Sequence, residues 1–447
     1  MRVLRWLYPG IGIKRWLLLS ALGVLMLGLG LALIIDVGFL WSIEAAADRV
    51  FGPKGYIPST KAGVALVGAG ALLVVVALHS IVRSVYQATV PRGGESLGKI
   101  LFTRRNLERG PKIVAVGGGT GLSVLLRGLK EYTDNLTAIV TVSDDGGSSG
   151  RLRQELGILP PGDIRNCLVA MADTEPLMER LFQYRFGEGS GLAGHSFGNL
   201  FIAAMTGITG DFEEAVRESS RVLAVRGRVL PTTLEDVTLF AELEDSRQIR
   251  GETAISATDG RIRRVYLEPR DAEPLPEAIA AIKGADAIVL GPGSLYTSVI
   301  SNLAVSGVAR AIREAGALKI YVVNVMTQPG ETRDYTGRDH VKAVLDHGGE
   351  GCIDLVLLNN EAVPESVAAK YLAQGARPVV AETGAVSGLG VAVVEEPLAV
   401  WDGVVRHSSE KLARCLIRII LKQRGAVIRE RLLEMYWSAE KSARAKG

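Results

Sequence analysis

Two long apolar runs near the amino terminus constrain this chain more than any other feature. Residues 16–35 and 62–82 are runs of 20 and 21 residues without a charged side chain. A helix rises about 1.5 Å per residue, so each run is long enough to cross the roughly 30 Å hydrocarbon core of a bilayer. Three of the five tryptophans, Trp6, Trp16 and Trp41, flank the first run, as expected of side chains that favour the headgroup region. The runs predict a two-helix transmembrane hairpin.

Flanking charges orient this hairpin. Arg2, Arg5, Lys14 and Arg15 precede the first run without an acid, and residues 83–112 carry seven bases and two acids. The loop between the runs balances its charges, so the positive-inside rule places both termini and the bulk of the chain in the cytoplasm. A cleaved signal peptide is the alternative, but the first run is long for one and the second would be unexplained. The basic segment either lies on anionic lipid or is a solvated linker.

Composition excludes several other classes of protein. The chain has 51 Lys and Arg against 48 Asp and Glu, a net charge of +3, which predicts no nucleic acid partner. Cys167, Cys352 and Cys415 lie far apart and form no CxxC pair, and the five histidines form no HExxH motif. Neither a disulfide framework nor a transition-metal site is therefore predicted, and any metal should be held by oxygen.

From Pro111 onward, short apolar strands alternate with helical stretches. This order predicts an α/β fold: a Rossmann-like parallel sheet with helices on both faces. The predicted strands are residues 112–116, 138–142, 287–290, 319–325 and 355–358. Residues 237–267 instead alternate polar and apolar side chains around a turn at 244–247, which predicts a small antiparallel insertion that caps the site or makes an oligomer contact.

The sequence thus divides into three predicted parts. Residues 1–95 form the hairpin and its basic linker, and residues 96–425 form the α/β domain. Residues 426–447 form a basic amphipathic tail, which either docks on its own domain or lies on the bilayer surface.

The first predicted strand runs into a glycine turn that opens a helix. The turn consists of Gly117, Gly118, Gly119, Thr120 and Gly121. Backbone N–H groups can face a ligand there, and the helix start adds about half a positive charge, so phosphate can bind without a lysine. No lysine follows the last glycine, which excludes a Walker A loop. A phosphate cradle is predicted, with a plain tight turn as the alternative.

The second predicted strand leads into two adjacent acids, Asp144 and Asp145. A loop follows from which Ser148, Ser149 and Arg151 would contact ligand oxygens. A single acid here would suggest the ribose contact of a nicotinamide enzyme, but two acids before a second polar loop favour another cradle. The acids either hold a divalent ion such as Mg²⁺ beside a diphosphate or supply a general base. Capping of the next helix is the alternative for one of them.

Two further polar clusters each precede a helix. In residues 160–166, Asp163, Arg165 and Asn166 follow a proline turn; Arg165 would fix a phosphate or carboxylate, unless it only pairs with Asp163. In residues 194–200, His195 and Asn199 are the candidates, and hydrogen bonding is favoured over proton transfer for the histidine.

The distal half repeats this pattern after two more strands. The candidate ligand contacts are Gly291, Gly293, Ser294 and Tyr296 after one strand and Asn324, Thr327 and Gln328 after the next. Tyr296 is predicted to stack on a base or sugar. Four polar clusters at four strand ends would face one crevice, where open α/β folds bind ligands. Arg406, which interrupts an apolar run, would reach a phosphate or be exposed.

From about Pro111 to Leu421 the chain resembles the gluconeogenesis factor family, the YvcK-like proteins. The resemblance rests on GGGTGLSVLLRGLK, the run 140–153, PPGDIRN, GHSFGNL, GPGSLYTS and NVMTQPGET, in that order. The wider superfamily is similar to 2-phospho-L-lactate transferase and is called CofD-like. The resemblance implies binding of UDP-N-acetylglucosamine, and a role in carbon partitioning, cell wall supply and cell shape. It also implies contacts to the nucleotide from residues 117–121, 291–296 and Arg406, and a divalent metal at Asp144 and Asp145.

Two functions remain open on these grounds. The first is a regulator whose UDP-sugar occupancy changes its contacts with a protein partner. The second is a Mg²⁺-dependent transferase in which Asp144 or Asp145 activates an acceptor and Arg165 steadies the departing phosphate. The resemblance implies that soluble members begin near the first strand, so the hairpin is an addition that predicts a membrane location. Whether the subunits form a homo-oligomer is open.

Overall fold

The computed structural model describes residues 14–35, 59–89, 106–173, 176–187, 189 and 191–423. The chain divides into two compact units, Met1–Phe102 and Thr103–Gly447. The predictions for Trp6, Trp41, the loop between the apolar runs, the basic segment 90–105 and the carboxyl-terminal tail lie outside the described residues.

The first unit contains the two predicted helices, α1 (Lys14–Ile34) and α2 (Ser59–Thr89). Their apolar stretches, Arg15–Ile34 and Lys61–Ile81, contain 20 and 21 residues with mean hydropathies of 2.6 and 2.4. By length and composition both helices can cross a membrane, which agrees with the sequence prediction.

Glycines form the seam between α1 and α2. Gly23 on α1 faces Gly70 on α2, and Gly30 faces Gly63. The two glycines of each helix are seven residues apart. A Cβ atom on Gly30 would lie 2.7 Å from the carbonyl oxygen of Gly63, so the backbones are in direct contact. Small residues permit this approach in membrane helices, while outward side chains such as Leu18 stay exposed, as lipid-facing residues would.

The second unit is built from alternating strands and helices. Its strands are β1 (Ile113–Gly117), β2 (Leu136–Val140), β3 (Arg228–Pro231), β4 (Thr238–Leu243), β5 (Gln248–Arg250), β6 (Ile262–Glu268), β7 (Ala287–Leu290), β8 (Leu318–Val322), β9 (Leu355–Asn359), β10 (Ala392–Glu396), β11 (Ala399–Asp402) and β12 (Val404–His407). Its helices are α3 (Gly119–Leu129), α4 (Gly147–Leu156), α5 (Gly162–Met171), α6 (Pro176–Gln183), α7 (Phe197–Thr209), α8 (Phe212–Val222), α9 (Glu252–Ser256), α10 (Pro276–Lys283), α11 (Val308–Glu314), α12 (Gly337–Gly348), α13 (Glu365–Leu372), α14 (Thr383–Ser387) and α15 (Ser409–Gln423). A π-helical segment, Leu295–Ile300, continues into the short helix Ser301–Leu303.

Seven parallel strands form the main sheet, in the order β10-β9-β8-β7-β1-β2-β3. The predicted Rossmann-like sheet is confirmed. All five predicted strands overlap observed ones, although β2 begins two residues earlier than expected. The prediction missed the two edge strands, β3 and β10. An edge strand has a neighbour on one side only, and half-exposed residues such as Val393 and Val394 give β10 a weak apolar signal.

The alternating segment forms the predicted antiparallel insertion. It contains three strands in the order β5-β4-β6, and the turn between β4 and β5 is where it was expected. A separate hairpin joins β11 and β12.

The order of the main sheet reverses beside its central strand. From β1 the chain continues to β2 and β3 on one side, and it later builds β7, β8, β9 and β10 on the other. Because all seven strands are parallel, their carboxyl ends lie along one edge, and the reversal between β1 and β7 is where such sheets open a crevice. The four polar clusters follow β8, β7, β1 and β2, which are adjacent strands.

Candidate functional site

The two glycine loops meet at the point of reversal. A Cβ atom on Gly121 would lie 2.6 Å from the carbonyl oxygen of Pro292, and one on Gly293 would lie 3.3 Å from the carbonyl oxygen of Gly118. The helix α3 begins at Gly119, three residues earlier than predicted, because Gly119 adopts a φ of +63° and turns the chain at once. Thr120 is exposed in the first turn. The close approach of the loops explains why side chains are excluded here.

Asp163 lies directly against the first glycine loop. Its Oδ2 is the atom that a Cβ on Gly118 would strike first, and the backbone N–H of Gly119 donates to its carboxylate. Burial, followed by the neighbouring carboxylate of Asp144, raises the pKa of Asp163 to about 6. The backbone N–H of Gly119, which was predicted to bind phosphate, thus already donates to Asp163, an acid that holds its proton more tightly than usual.

The adjacent acids Asp144 and Asp145 have separate partners. Oδ1 of Asp144 accepts a hydrogen bond of 2.9 Å from Gly146 N, and its Oδ2 faces Gly162. Oδ1 of Asp145 accepts from the backbone N and the hydroxyl of Thr253, at 2.9 and 2.7 Å. Asp145 therefore caps the first turn of α9 in the insertion. The capping alternative had placed this role at the next helix along the chain, which is α4.

Few side chains near these two acids could serve as further ligands of a metal ion. Within the described residues, no three His, Cys, Asp or Glu side chains are grouped to hold a metal ion. Mg²⁺ commonly binds through one or two carboxylates together with substrate phosphates and water. Asp144 and Asp145 could supply at most such carboxylates, and the Mg²⁺ site stays a prediction.

The sequence analysis missed Glu252, which the insertion brings to this acidic side. The hydroxyl of Ser143 donates to its Oε2 at 3.3 Å. Burial, and then the charges of Asp144 and Asp163, raise its pKa well above the ordinary value. No local motif marks Glu252, since its position depends on the contact of the insertion with the loop after β2. That contact supports capping as the insertion's role.

Ser148 and Ser149 lie in a helix, where the sequence predicted a loop. The helix α4 begins at Gly147, whose positive φ of +50° starts the turn inside the glycine run. Nδ1 of His195 lies 3.0 Å from the Ser148 hydroxyl. Asn199 donates to Ser148 and Ser149 at 3.1 and 3.5 Å. All four side chains are buried.

His195 has the character of a hydrogen-bonding histidine. Burial, and then the charge of Arg151, lower its pKa below the usual value. Its neutral form is therefore favoured near neutral pH, in agreement with the role that the sequence favoured.

Arg165 does not pair with Asp163. Its Nη1 donates to the Ser196 hydroxyl at 2.5 Å, and its Nη2 donates to Oδ1 of Asn166 at 2.7 Å. Ser196 also caps α7 by accepting from Asn199 N at 3.2 Å. Two buried atoms in this group have no hydrogen-bond partner, Nε of Arg165 and Oδ1 of Asn199. Asp163 and Arg165 therefore form no direct ion pair, although the charge of Asp163 raises the pKa of Arg165 against the lowering effects of burial and Arg185.

The loop after β8 supports the second glycine loop. Asn324 exchanges hydrogen bonds with the backbone N and O of Gly293, at 3.3 and 2.8 Å. Gln328 donates to the Ser294 hydroxyl at 2.8 Å, and its own buried Oε1 has no partner. Thr327 is buried, and its hydroxyl accepts from Arg377 N at 3.0 Å. The ligand contact of Thr327 stays a prediction.

Tyr296 points into the core instead of the crevice. Its side chain is 2% exposed, and its hydroxyl lies 2.9 Å from that of Tyr335. Its ring also packs edge-on against His347. No ring face is open to a base or sugar, so the predicted stacking is wrong.

Arg406 lies on β12, exposed, in a hairpin that packs against α3. Its contact with a nucleotide stays a prediction. A separate cavity of about 570 Å³ opens at the opposite edge of the sheet and is lined by residues that include Lys112, Thr137 and Arg228. None of the predicted site residues lines that cavity.

The chain is similar in sequence and structure to proteins of a known family. Residues 113–399 match the family model described as 2-phospho-L-lactate transferase CofD. The gluconeogenesis factor of Bacillus subtilis is 52% identical over 311 residues, which are 69% of this chain and 98% of that protein. A crystal structure of a Bacillus halodurans protein, 50% identical, superposes with a TM-score of 0.68 over 69% of this chain and 99% of that one.

Longer relatives also match the amino-terminal region. Proteins of Nostoc sp. and Clostridium acetobutylicum, which provisionally carry the same gluconeogenesis factor name, are 50% and 42% identical over 93% and 99% of this chain. The alignment with the Clostridium protein covers 97% of that protein. The amino-terminal region is therefore shared with these longer relatives.

Proposed function

The chain belongs to the CofD family, among its gluconeogenesis factors, and we propose that its crevice binds a nucleoside diphosphate sugar, UDP-N-acetylglucosamine. The observation that carries this proposal is the contact of two glycine loops at the reversal of the sheet, with Gly121 against Pro292. Backbone amides at two strand ends can converge there on one pyrophosphate, beside the amino end of α3.

Gly119 supplies the space that a phosphate needs. A Cβ atom on Gly119 would have one close neighbour, Oγ of Ser298 at 3.7 Å, so the loop is open on this side. Asp163 competes with a phosphate for the Gly119 amide. Mg²⁺ carried by the diphosphate would relieve the repulsion between phosphate and the nearby acids Asp144 and Asp163.

Gln328 supports recognition of a polar group beyond the phosphates. Its buried Oε1 has no partner while its amide nitrogen is held by Ser294. A buried amide oxygen in this state accepts readily from an N–H or O–H group, such as those of uracil or a sugar.

The relatives' name, together with the proposed binding site, supports a regulatory role. We expect UDP-sugar occupancy to change contacts with a protein partner and so to partition carbon between gluconeogenesis and cell wall supply, with consequences for cell shape. The two apolar helices would anchor the chain in the cell membrane as a two-pass protein with the sheet domain in the cytoplasm. Detergent-free extraction that released the intact chain would refute the anchor.

The second candidate is a Mg²⁺-dependent transferase that uses a nucleoside diphosphate donor. It is favoured by the raised pKa values of Asp163, beside the first glycine loop, and of Glu252, beside Ser143, because a carboxyl group with a raised pKa can donate a proton at a higher pH than an ordinary one. In this role Asp144 would bind Mg²⁺ with the diphosphate and Asp163 would exchange a proton with the acceptor.

One experiment separates these functions. The full chain in detergent micelles is incubated with UDP-N-acetylglucosamine, with and without Mg²⁺, while thermal stability and release of UDP or UMP are followed. Stabilisation without turnover supports the regulator, and steady release supports the transferase. Stabilisation by NADH with no response to uridine nucleotides would refute both.

A further inference from the structure

The guanidinium of Arg165 is buried without a counter-ion. The side chain is 7% exposed, and its two hydrogen-bond acceptors, Ser196 and Asn166, are neutral. Among the described residues no carboxylate oxygen lies within 4.0 Å of its nitrogens, and its Nε has no partner. A buried guanidinium without a carboxylate in direct contact has the chemistry of an anion site.

Asn199 contributes an unpaired acceptor to the same pocket. It is 2% exposed, and its amide nitrogen is used by Ser148 and Ser149 while its Oδ1 has no partner. The Ser196 hydroxyl accepts both from Nη1 of Arg165 and from the backbone N of Asn199, so the two residues share Ser196 as a partner. One buried donor, Nε of Arg165, and one buried acceptor, Oδ1 of Asn199, are thus unpaired in two residues that both contact Ser196. A ligand with an oxyanion and a hydroxyl, such as a hydroxy acid or a phosphate monoester, satisfies both.

Two more arginines surround this pocket. Arg151 donates to the carbonyl of Ala193 at 2.7 Å, and Arg185 donates to that of Gly194 at 3.2 Å. Neither side chain has a carboxylate partner within the described residues. Three arginines therefore bind positions 193, 194 and 196 of one loop and create a positive local field.

The acids of the crevice adjoin this group of arginines. Burial and the charge of Arg185 lower the pKa of Arg165, while Asp163 and Asp144 raise it without making a direct ion pair. Ser149 lies between the acids and the arginines, since its hydroxyl approaches Gly162, which also faces Asp144.

We propose that the Arg165 pocket, formed by Ser148, Ser149, Arg165, His195, Ser196 and Asn199, is a second subsite that binds the carboxylate or phosphate group of a small hydroxylated molecule. This subsite does not require the nucleotide-sugar assignment. With a nucleotide sugar at the glycine loops, it would hold either an acceptor or an effector next to it.

The test is anion binding to the full chain in detergent micelles at constant ionic strength. Inorganic phosphate and lactate are titrated separately, and thermal stability is measured across the millimolar range. We expect saturable stabilisation by at least one of them, and the stronger ligand identifies the preferred oxyanion.

Variants assign the effect to the pocket. Arg165→Gln should weaken binding by about tenfold or more, as expected for one charge-assisted hydrogen bond. Because Arg165 is buried and its variant can misfold, the exposed Arg185→Gln provides a second measurement, with a smaller loss of affinity from the reduced field. Arg263→Gln, an exposed arginine on β6 that pairs with Glu242, is the matched control and should bind as the unmodified chain does.

Two results would overturn the proposal. One is the absence of saturable binding of both anions, and the other is equal affinity in the Arg185→Gln and Arg263→Gln variants. Binding of phosphate or lactate without binding of UDP-N-acetylglucosamine would refute the nucleotide proposal alone, and the reverse would refute this one alone.

Discussion

Glu331 holds Thr297 through two hydrogen bonds. Its Oε2 accepts from Thr297 N at 3.2 Å, and its Oε1 accepts from the Thr297 hydroxyl at 2.8 Å. The same carboxylate accepts from Tyr296 N at 2.9 Å and from the Ser256 hydroxyl at 3.2 Å. Glu331 follows β8, whereas Thr297 follows β7 and Ser256 belongs to the insertion. One buried acid thus fastens three segments around the crevice.

We expect Glu331→Gln to destabilise the sheet domain. The glutamine side chain would replace one carboxylate oxygen by an NH₂ group, which cannot accept the hydrogen bonds now made to that oxygen. Each buried donor left unpaired lowers the free energy of unfolding by about 1–3 kcal/mol. The loop carrying Gly291 and Gly293 would lose its support, so affinity for UDP-N-acetylglucosamine should fall as well. Thermal unfolding and ligand titration of the full chain measure both effects. Glu314→Gln, at an exposed helix end, is the control; equal melting temperatures of the two variants would contradict this role.

Gly119→Val should abolish nucleotide-sugar binding while the fold survives. The branched side chain would occupy the open space over the loop and would also oppose a φ of +63°, a strain of about 1–2 kcal/mol. Gly157→Val is a matched control, because Gly157 has a φ of +65° at the end of α4 and an open surrounding. Calorimetric titration with UDP-N-acetylglucosamine compares them. Unaltered affinity in Gly119→Val would reject the phosphate cradle.

Gly30→Leu should open the helical hairpin. The added side chain would meet the backbone of α2 at Gly63, where a Cβ alone has only 2.7 Å of room. Gly28→Leu is the matched control on the same helix, since a Cβ there has no neighbour within 4 Å. Hydrogen–deuterium exchange in detergent micelles should be faster in α1 and α2 of the first variant only. Equal exchange in both would show that the glycine seam does not hold the helices together.

His340 and His407 should each make stability fall as the pH is lowered from neutrality, because both are buried in the neutral form. Burial lowers the pKa of both His340 and His407 to about 4. Their unfolded pKa is about 6.5, so between pH 6.5 and 4 the unfolded chain binds more protons and unfolding becomes easier. Each histidine contributes at most about 3 kcal/mol, which is fully present above pH 6.5.

Asp163 acts in the opposite direction. Its raised pKa of about 6 means that the folded chain binds more protons between pH 4 and 6, so its contribution to stability falls as the pH rises. The raised pKa values of Glu252 and Glu331 act in the same direction as that of Asp163, whereas the lowered pKa values of His195 and His347 act in the direction of His340 and His407. Melting temperatures between pH 7 and pH 5 measure the sum, and comparison with His407→Gln isolates one histidine: the variant should lose less stability on acidification than the unmodified chain. An equal dependence on pH in the two proteins would exclude His407 as a cause.

The sequence by itself determined the features that local chemistry controls. Apolar runs long enough to span a bilayer, strands with both faces buried, and glycines directly after those strands are all patterns that a contiguous segment carries. The topology of a parallel sheet then implied that four polar clusters share one edge. The hairpin helices, the central strands, the insertion and the adjacency of the clusters were predicted on this basis.

Only the tertiary structure decided which way side chains point and which distant residues meet. Tyr296 turned into the core because Tyr335 and His347 pack against it, and Asp163 engaged the glycine loop instead of Arg165. Glu252 reached the acidic side of the crevice from an insertion more than 100 residues beyond Asp144 along the chain. Such contacts depend on packing between segments that are remote in sequence. The periodicity of apolar residues within one segment indicates that a side chain is buried. It does not indicate which residue from another segment packs against that side chain.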